Sequence, residues 1–149
     1  MDPNSPLQLR EASLAELLWV HEHILEFPGK ASLSFYQDRL QHRFSLALVA
    51  VWEAELAGFK VGYQSELPET FYSWMGGVRA EFRGRGIASA LAEEQERWAK
   101  AQGFTSLFFK TRNRFPAMIQ FGIKRGFKIV DLHPKGGVED YRIVMHKDL

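Results

Sequence analysis

One short segment restricts this chain more than any other: Val78-Arg79-Ala80-Glu81-Phe82-Arg83-Gly84-Arg85-Gly86-Ile87-Ala88. A hydrophobic run, Phe71 to Val78, enters it, and an amphipathic run, Ile87 to Gln102, leaves it. The pattern predicts a strand, a basic glycine loop and a helix. Such a loop turns several backbone N–H groups toward one point. The helix N-terminus adds partial positive charge there, and Arg83 and Arg85 add full charges. The arrangement suits a pyrophosphate. Gly84 and Gly86 let the backbone approach a ligand with no Cβ in the way.

Two other readings of the loop fit less well. A dinucleotide fingerprint, Gly-x-Gly-x-x-Gly, needs glycine where this chain has Ser89, and it starts at the strand end, whereas Val78 lies well before Gly84. A single Arg-Gly-Arg-Gly in a strand–helix frame is not an RNA-binding repeat tract. The spacing Arg83-x-x-Gly86-x-Ala88 instead resembles the acyl-CoA signature, Gln/Arg-x-x-Gly-x-Gly/Ala, of the GNAT superfamily of N-acetyltransferases. The surrounding Val-x-x-x-x-Arg-Gly-x-Gly-Ile-Ala narrows the match. The resemblance implies acetyl-CoA as co-substrate, with Arg83, Gly84, Arg85, Gly86, Ile87, Ala88 and Ser89 around its pyrophosphate.

The 149 residues read as one domain, 1–149, with a single core. Apolar residues make up 46% and charged residues 25%, an ordinary globular mixture. A net charge of +1 argues against a general nucleic-acid binder. With no cysteine there is no disulfide, cysteine–metal site or cysteine nucleophile. No metal is expected. The N-terminus lacks a basic then apolar leader, and no apolar run approaches the ~20 residues of a membrane span. A cytoplasmic protein with no membrane partner is expected, and a homodimer stays open.

Along the chain, Leu7 to Arg10 reads as a first strand. Ser13 with Glu16 forms a capping box for a helix whose apolar positions run from Leu14 to Leu25 and which Pro28-Gly29 stops. Ser32 to Arg43 is a second helix. Strands at 45–52, 56–64 and 71–78 follow, the first two linked by Glu53-Ala54-Glu55, as an antiparallel meander. Glu93–Arg97 and Glu96–Lys100 read as i,i+4 pairs on the outer face of the 87–102 helix. A strand at 105–111 should lie parallel to 71–78, the two diverging near Val78 and Thr111. A helix from Pro116 to Lys124, a strand at 127–130 and a last strand at 141–146 complete the order β-α-α-β-β-β-α-β-α-β-β. That order is similar to the GNAT fold over essentially the whole chain: α+β, with a central mixed sheet of six to seven strands flanked by about four helices.

Asn113 and the run to Lys124-Arg125-Gly126-Phe127 look like the other half of the CoA site. The resemblance places the pantetheine arm along Gly76, Gly77 and Val78. Gly76-Gly77 also suits a bulge, a close ligand approach or a simple kink. The family tyrosine that protonates the leaving thiolate falls on Gly122, its asparagine on Phe115 with Asn113 nearby, and a glutamate base of some members on Lys110. A lysine with an ordinary pKa near ~10.4 takes no proton at neutral pH. Positions 72, 74 and 76 are expected on one face of their strand. Tyr72 is the candidate proton relay, or an ordinary sheet tyrosine, and Trp74 the candidate wall of the acceptor pocket. Gly122→Tyr is expected to be tolerated if the pocket has room.

The histidines show no metal spacing. His133 lies in a connection that often edges the acceptor site of the family, and Glu22 and Glu26 on the first helix read as solvated charges or, by the resemblance, as partners of a cationic acceptor. The implied activity is acetyl transfer from acetyl-CoA to a primary amine of a small molecule or peptide. The alternative is a CoA-binding module with little or no transfer, motivated by Gly122 and Lys110. A nucleic-acid role would rest on Arg79, Arg83, Arg85, Lys110, Arg112 and Arg114, which CoA phosphates explain better.

Overall fold

Ser13 opens the first helix with a reciprocal cap. Its hydroxyl accepts from the Glu16 N–H, and the Glu16 carboxylate accepts from the Ser13 N–H. The protein is described by a computed structural model over residues 2–27 and 31–149. Helix α1 (Leu14–Glu22) ends at Glu22 rather than Leu25. The last turn tightens, with the His23 and Ile24 N–H groups donating to the Val20 and His21 carbonyls. Ile24 then turns into the core and Leu25 into solvent. Glu26 therefore lies off the helix, and the Pro28-Gly29 stop falls outside the described residues. Helix α2 (Leu33–Leu40) stops short of Arg43 because Gln41 turns extended and His42 takes a φ of 60°.

Strand β1 (Leu7–Glu11) pairs with β2 (Ser45–Trp52), which continues into β3 (Glu55–Gln64) and β4 (Thr70–Val78) as an antiparallel meander. The β2–β3 turn holds Glu53 and Ala54 at φ 45° and 71°, the left-handed geometry of a two-residue hairpin. Helix α3 (Ile87–Ala101) returns the chain to β5 (Ser106–Arg112), parallel to β4. After α4 (Pro116–Lys124), β6 (Lys128–His133) forms the edge, and β7 (Arg142–Asp148) inserts between β5 and β6. Among the described residues the result is one mixed seven-stranded sheet, β1-β2-β3-β4-β5-β7-β6, with four α-helices.

Each face has its own core. Phe71, Leu91, Leu107, Phe109 and Met145 pack on the α3 side. Leu17, Val20, Tyr36, Phe59 and Val61 pack beneath α1 and α2.

Strands β4 and β5 pair only at Thr70–Ser106, Phe71–Leu107 and Tyr72–Phe108. The divergence expected near Val78 and Thr111 thus begins just after Tyr72. The register explains it. Val61 faces Met75 and Gly62 faces Ser73, so Trp74 is an extra residue in β4. A bulge of this kind bends a strand and shifts its alternation. Tyr72 and Trp74 do share a face, but Gly76 lies on the opposite one, over Lys60. The unbroken alternation expected for 72, 74 and 76 is corrected on this point.

The outer-face pairs on α3 are also corrected. Arg97 pairs with Glu94, and Glu96 points inward.

Candidate active site

The loop between β4 and α3 is shaped by its backbone. The Arg79 N–H donates to the Ala57 carbonyl, and a short 3-10 turn, Ala80–Phe82, buries Phe82. Gly84 and Gly86 then both take φ 78°. A Cβ on either would meet no atom within 4 Å, so backbone conformation selects glycine here, and the space above the loop is open.

No side chain caps α3. The N–H groups from Gly84 to Ser89 donate to no described protein atom, and the first bond of the helix runs from the Ala90 N–H to the Gly86 carbonyl. Ile87 anchors the turn in the core while Arg83, Gly84, Arg85, Gly86, Ala88 and Ser89 are exposed. Unclaimed donors at a helix N-terminus form an anion site.

The two loop arginines differ. Arg83 grips Glu26 with both terminal nitrogens, at 2.7 and 2.9 Å, and its Nε donates to the Val78 carbonyl at 3.1 Å. The hydrogen-bonded guanidinium pulls the Glu26 carboxyl down to about 2. Arg85 lies over the Trp52 and Phe82 rings at 5.0 and 5.3 Å and has no carboxylate partner among the described residues. An anion in the loop meets Arg85, which donates to the Glu81 carbonyl at 3.3 Å, with no carboxylate competing, and meets Arg83 in competition with Glu26. Glu26, read as a solvated charge or a partner of a cationic acceptor, instead holds Arg83. It stands 57 positions from Arg83, beyond any local pattern.

The fork beside the loop is lined by β4 beyond Tyr72. A Cβ on Gly77 would lie 2.6 Å from Ile24 and one on Gly76 3.2 Å from the Phe59 carbonyl. The two glycines answer close packing, and the bulge sits at Trp74. The Val78 carbonyl, expected free for a ligand, is taken by Arg83.

Tyr72 stacks on Phe108 at 4.7 Å with the planes 10° apart, and Lys110 Nζ lies 5.5 Å from its ring. Burial pushes the Tyr72 phenol up from its ordinary value, so at neutral pH it is a phenol rather than a base. Trp74 packs on Phe35, Tyr36 and Tyr63, with the Arg39 guanidinium 4.7 Å over its ring. Asn113, at the end of β5, donates from Nδ2 to the Val138 carbonyl at 2.9 Å and ties down the β6–β7 connection. Gly122 is buried, and a Cβ there would lie 2.8 Å from Phe109 and 2.9 Å from Met145. A tyrosine at 122 therefore has no room, and the condition on which Gly122→Tyr would be tolerated is not met.

Beneath α3, at the base of the fork, Lys60, Ser73, Gln95 and Glu96 line a small cavity. Both amide atoms of Gln95 are buried without a protein partner. Glu96 binds Arg125 at 2.7 Å and Lys147 at 2.5 Å. Burial pulls the Lys60 amine down to about 8, against the attraction of Glu96. The cluster went unnoticed in the sequence, although Gln95 falls four residues after Leu91 on the apolar stripe. A larger hollow of about 450 Å³ lies away from the fork, at the β1–β2 edge.

Among the described residues no three His, Cys, Asp or Glu gather as a metal site, and no helix is long and apolar enough to cross a membrane. His21 Nδ1 meets the Tyr36 hydroxyl at 2.6 Å inside the α1–α2 core. His133 pairs with Asp131 in the open at 3.1 Å.

Comparison with known proteins adds a family to this geometry. The profile of the acetyltransferase (GNAT) family matches residues 12–127. An acetyltransferase of Pectobacterium atrosepticum is 33% identical over 96 residues, covering 64% of this chain and 66% of that protein, just under two thirds of its length. The ribosomal-protein-S18-alanine N-acetyltransferase from Escherichia coli superposes with a TM-score of 0.81 at 15% identity, covering 95% of this chain and 93% of that one. The yncA protein from Salmonella typhimurium, solved with its cofactor acetyl-CoA, gives 0.77 at 14%, covering 97% and 94%. At such identities the structural likeness speaks for the fold.

Proposed function

The chain belongs to the GNAT family of acetyltransferases, and from that premise we propose that it transfers an acetyl group from acetyl-CoA directly to a primary amine. The observation that carries the reading is the row of unclaimed N–H donors from Gly84 to Ser89, set at the end of the strand that opens the fork. These donors, the α3 dipole and the Arg85 charge suit a pyrophosphate. The acetyl-CoA named with the Salmonella typhimurium neighbour supports the same co-substrate here.

In this reading Gly84, Arg85, Gly86, Ile87, Ala88 and Ser89 hold the pyrophosphate, and Arg83 joins them by leaving Glu26. The backbone of Gly76, Gly77 and Val78 lines the pantetheine arm. Asn113 braces the opposite wall through its bond to Val138. The thioester supplies an electrophilic carbonyl. The chain then has to orient an uncharged amine, steady the developing oxyanion and let one proton leave. Tyr72 stays protonated at neutral pH, so its role is to pass a proton through water. Trp74 walls the acceptor.

Calorimetry with acetyl-CoA tests the placement. The wild type is expected to bind, and the folded double variant Gly84→Val with Gly86→Val to lose binding. Both positions have positive φ, and the added side chains occupy the space above the donors. Retained binding would overturn the placement. The crowding at Gly122, which excludes a hydroxyl, favours one second reading, a CoA-binding module without turnover. Binding with no thiol release over a broad amine array would select it.

A further inference from the structure

The arginines fall into two groups. Arg10, Arg79, Arg83, Arg97, Arg112, Arg114 and Arg125 each have a carboxylate partner. Among the described residues Arg39, Arg43, Arg85 and Arg142 have none. Arg85 belongs to the anion loop. The other three lie on the side of the sheet away from α3, around the fork. Arg39 stands over Trp74 and donates to the Tyr63 hydroxyl at 3.1 Å. Arg43 stands over the Tyr63 ring at 4.6 Å. Arg142 has a buried Nε with no acceptor, and its charge, like that of Arg39, is felt at Tyr72. Lys110 adds a fourth cation beside Tyr72. On β7's approach Asp140 is held by Arg112 and Arg114, with Glu139 next to it in the chain.

Helices α1 and α2 pack over β2, β3 and Trp74 on this face, and Tyr72 and Phe108 stay partly exposed beside the exposed Lys110. Helix α3 and its anion loop cover the other side, and α4 packs there too, with Met118 and Ile119 in the α3-side core. In the acetyl-transfer reading the amine enters the fork from the side of Tyr72, Phe108 and Lys110. Resting on the acetyl-transfer reading, we propose that the acceptor is a small amine that also carries an anionic group, a carboxylate or a phosphate. Arg39, Lys110 and Arg142 receive the anion, and the rings of Tyr72 and Trp74 carry the body of the molecule.

Unpaired guanidinium groups at partly buried positions are suited to such anions. The same charges disfavour an ammonium and favour the free amine that attacks. Glu96 at the base of the fork is held by Arg125 and Lys147, and an amine that sheds its proton on entry makes no demand on it. Polyamines and amines flanked by cations are repelled.

The test compares matched amines as acceptors of the full chain with acetyl-CoA, following thiol release. The pairs are a free amino acid and its carboxamide, phosphoethanolamine and ethanolamine, and an acidic and a basic pentapeptide, with spermidine alone. Higher kcat/KM for the amino acid over its carboxamide and for phosphoethanolamine over ethanolamine, by ~10-fold or more, is expected, and Arg39→Gln and Lys110→Gln should each erode it while acetyl-CoA affinity stays unchanged. Equal or better rates for neutral or cationic amines would overturn the proposal, and so would a preference confined to the acidic peptide. Calorimetric titration of the same amines into the CoA-saturated protein separates the two readings. If no amine releases thiol, selective binding of the anionic members still supports the pocket, and equal or absent binding removes it.

Discussion

Trp74 and Met75 are consecutive residues of one strand, yet both side chains enter the core beneath α1 and α2. The bulge that permits this also bends β4 away from β5 and opens the fork. It leaves Tyr72 on the same face as Trp74, at the last rung before the strands part.

Tyr72→Phe tests the relay. The stacking on Phe108 survives the change, so the fold and acetyl-CoA affinity should hold. The expected outcome is a drop in kcat on the order of 10²-fold, the low end for a positioned acid–base group. A loss of only a few-fold, with a pH–rate profile that follows the acceptor amine alone, would reduce Tyr72 to packing.

Glu26→Gln frees Arg83 for a phosphate. Acetyl-CoA affinity is expected to rise several-fold, and Arg83→Gln to lower it, both read by calorimetry. The sign with pH follows from the depressed Glu26 carboxyl. Its interaction with Arg83 is fully present above the ordinary carboxylate range of ~4.3 and is lost only as pH falls through about 2. The Glu26→Gln effect should therefore be constant from about pH 5 to pH 8. A steep change within that window would mean another group controls Arg83.

Gly122→Ala places a methyl group against Phe109 and Met145. Overpacking of this kind destabilises by about 1–3 kcal/mol, measurable by denaturant titration. Gly122→Tyr should be worse and should not raise activity.

Lys60→Met should stabilise the protein at pH 7. Burial holds the folded-state amine at about 8, below the unfolded value of ~10.4. Keeping the charge therefore lowers stability below pH 8, by on the order of 1–3 kcal/mol. That penalty shrinks as pH rises from about 8 toward the unfolded value. The advantage of Lys60→Met in chemical denaturation should fade across the same range. A constant advantage would trace to packing alone.

The parts of the site written in local sequence were legible. Gly84 and Gly86 marked the loop between strand and helix, Ser13 with Glu16 announced a cap, and the order of elements announced the sheet, while the positive φ of both glycines appears only in the structure. What stayed hidden depends on distant partners. The Trp74 bulge answers Gly62, where any Cβ would strike the Tyr72 carbonyl at 2.4 Å. Glu96 turns inward because Arg125 and Lys147 arrive from α4's end and β7. Local helix spacing gave it a plain surface partner instead. Glu26 was assigned to a helix that had already ended.

Where β4 and β5 part, each presents an unpaired edge in the middle of the molecule. Such edges recruit strands from other chains and seed aggregation. Here the opening is guarded by features natural sheets use at their margins: a bulge on one side, and the charges of Lys110 and Arg112 on the other. A drive to neutralise those charges or straighten that bulge would leave the cleft open to a strand from another copy of the chain. The space that admits a substrate is thus also the point at which the fold must resist itself.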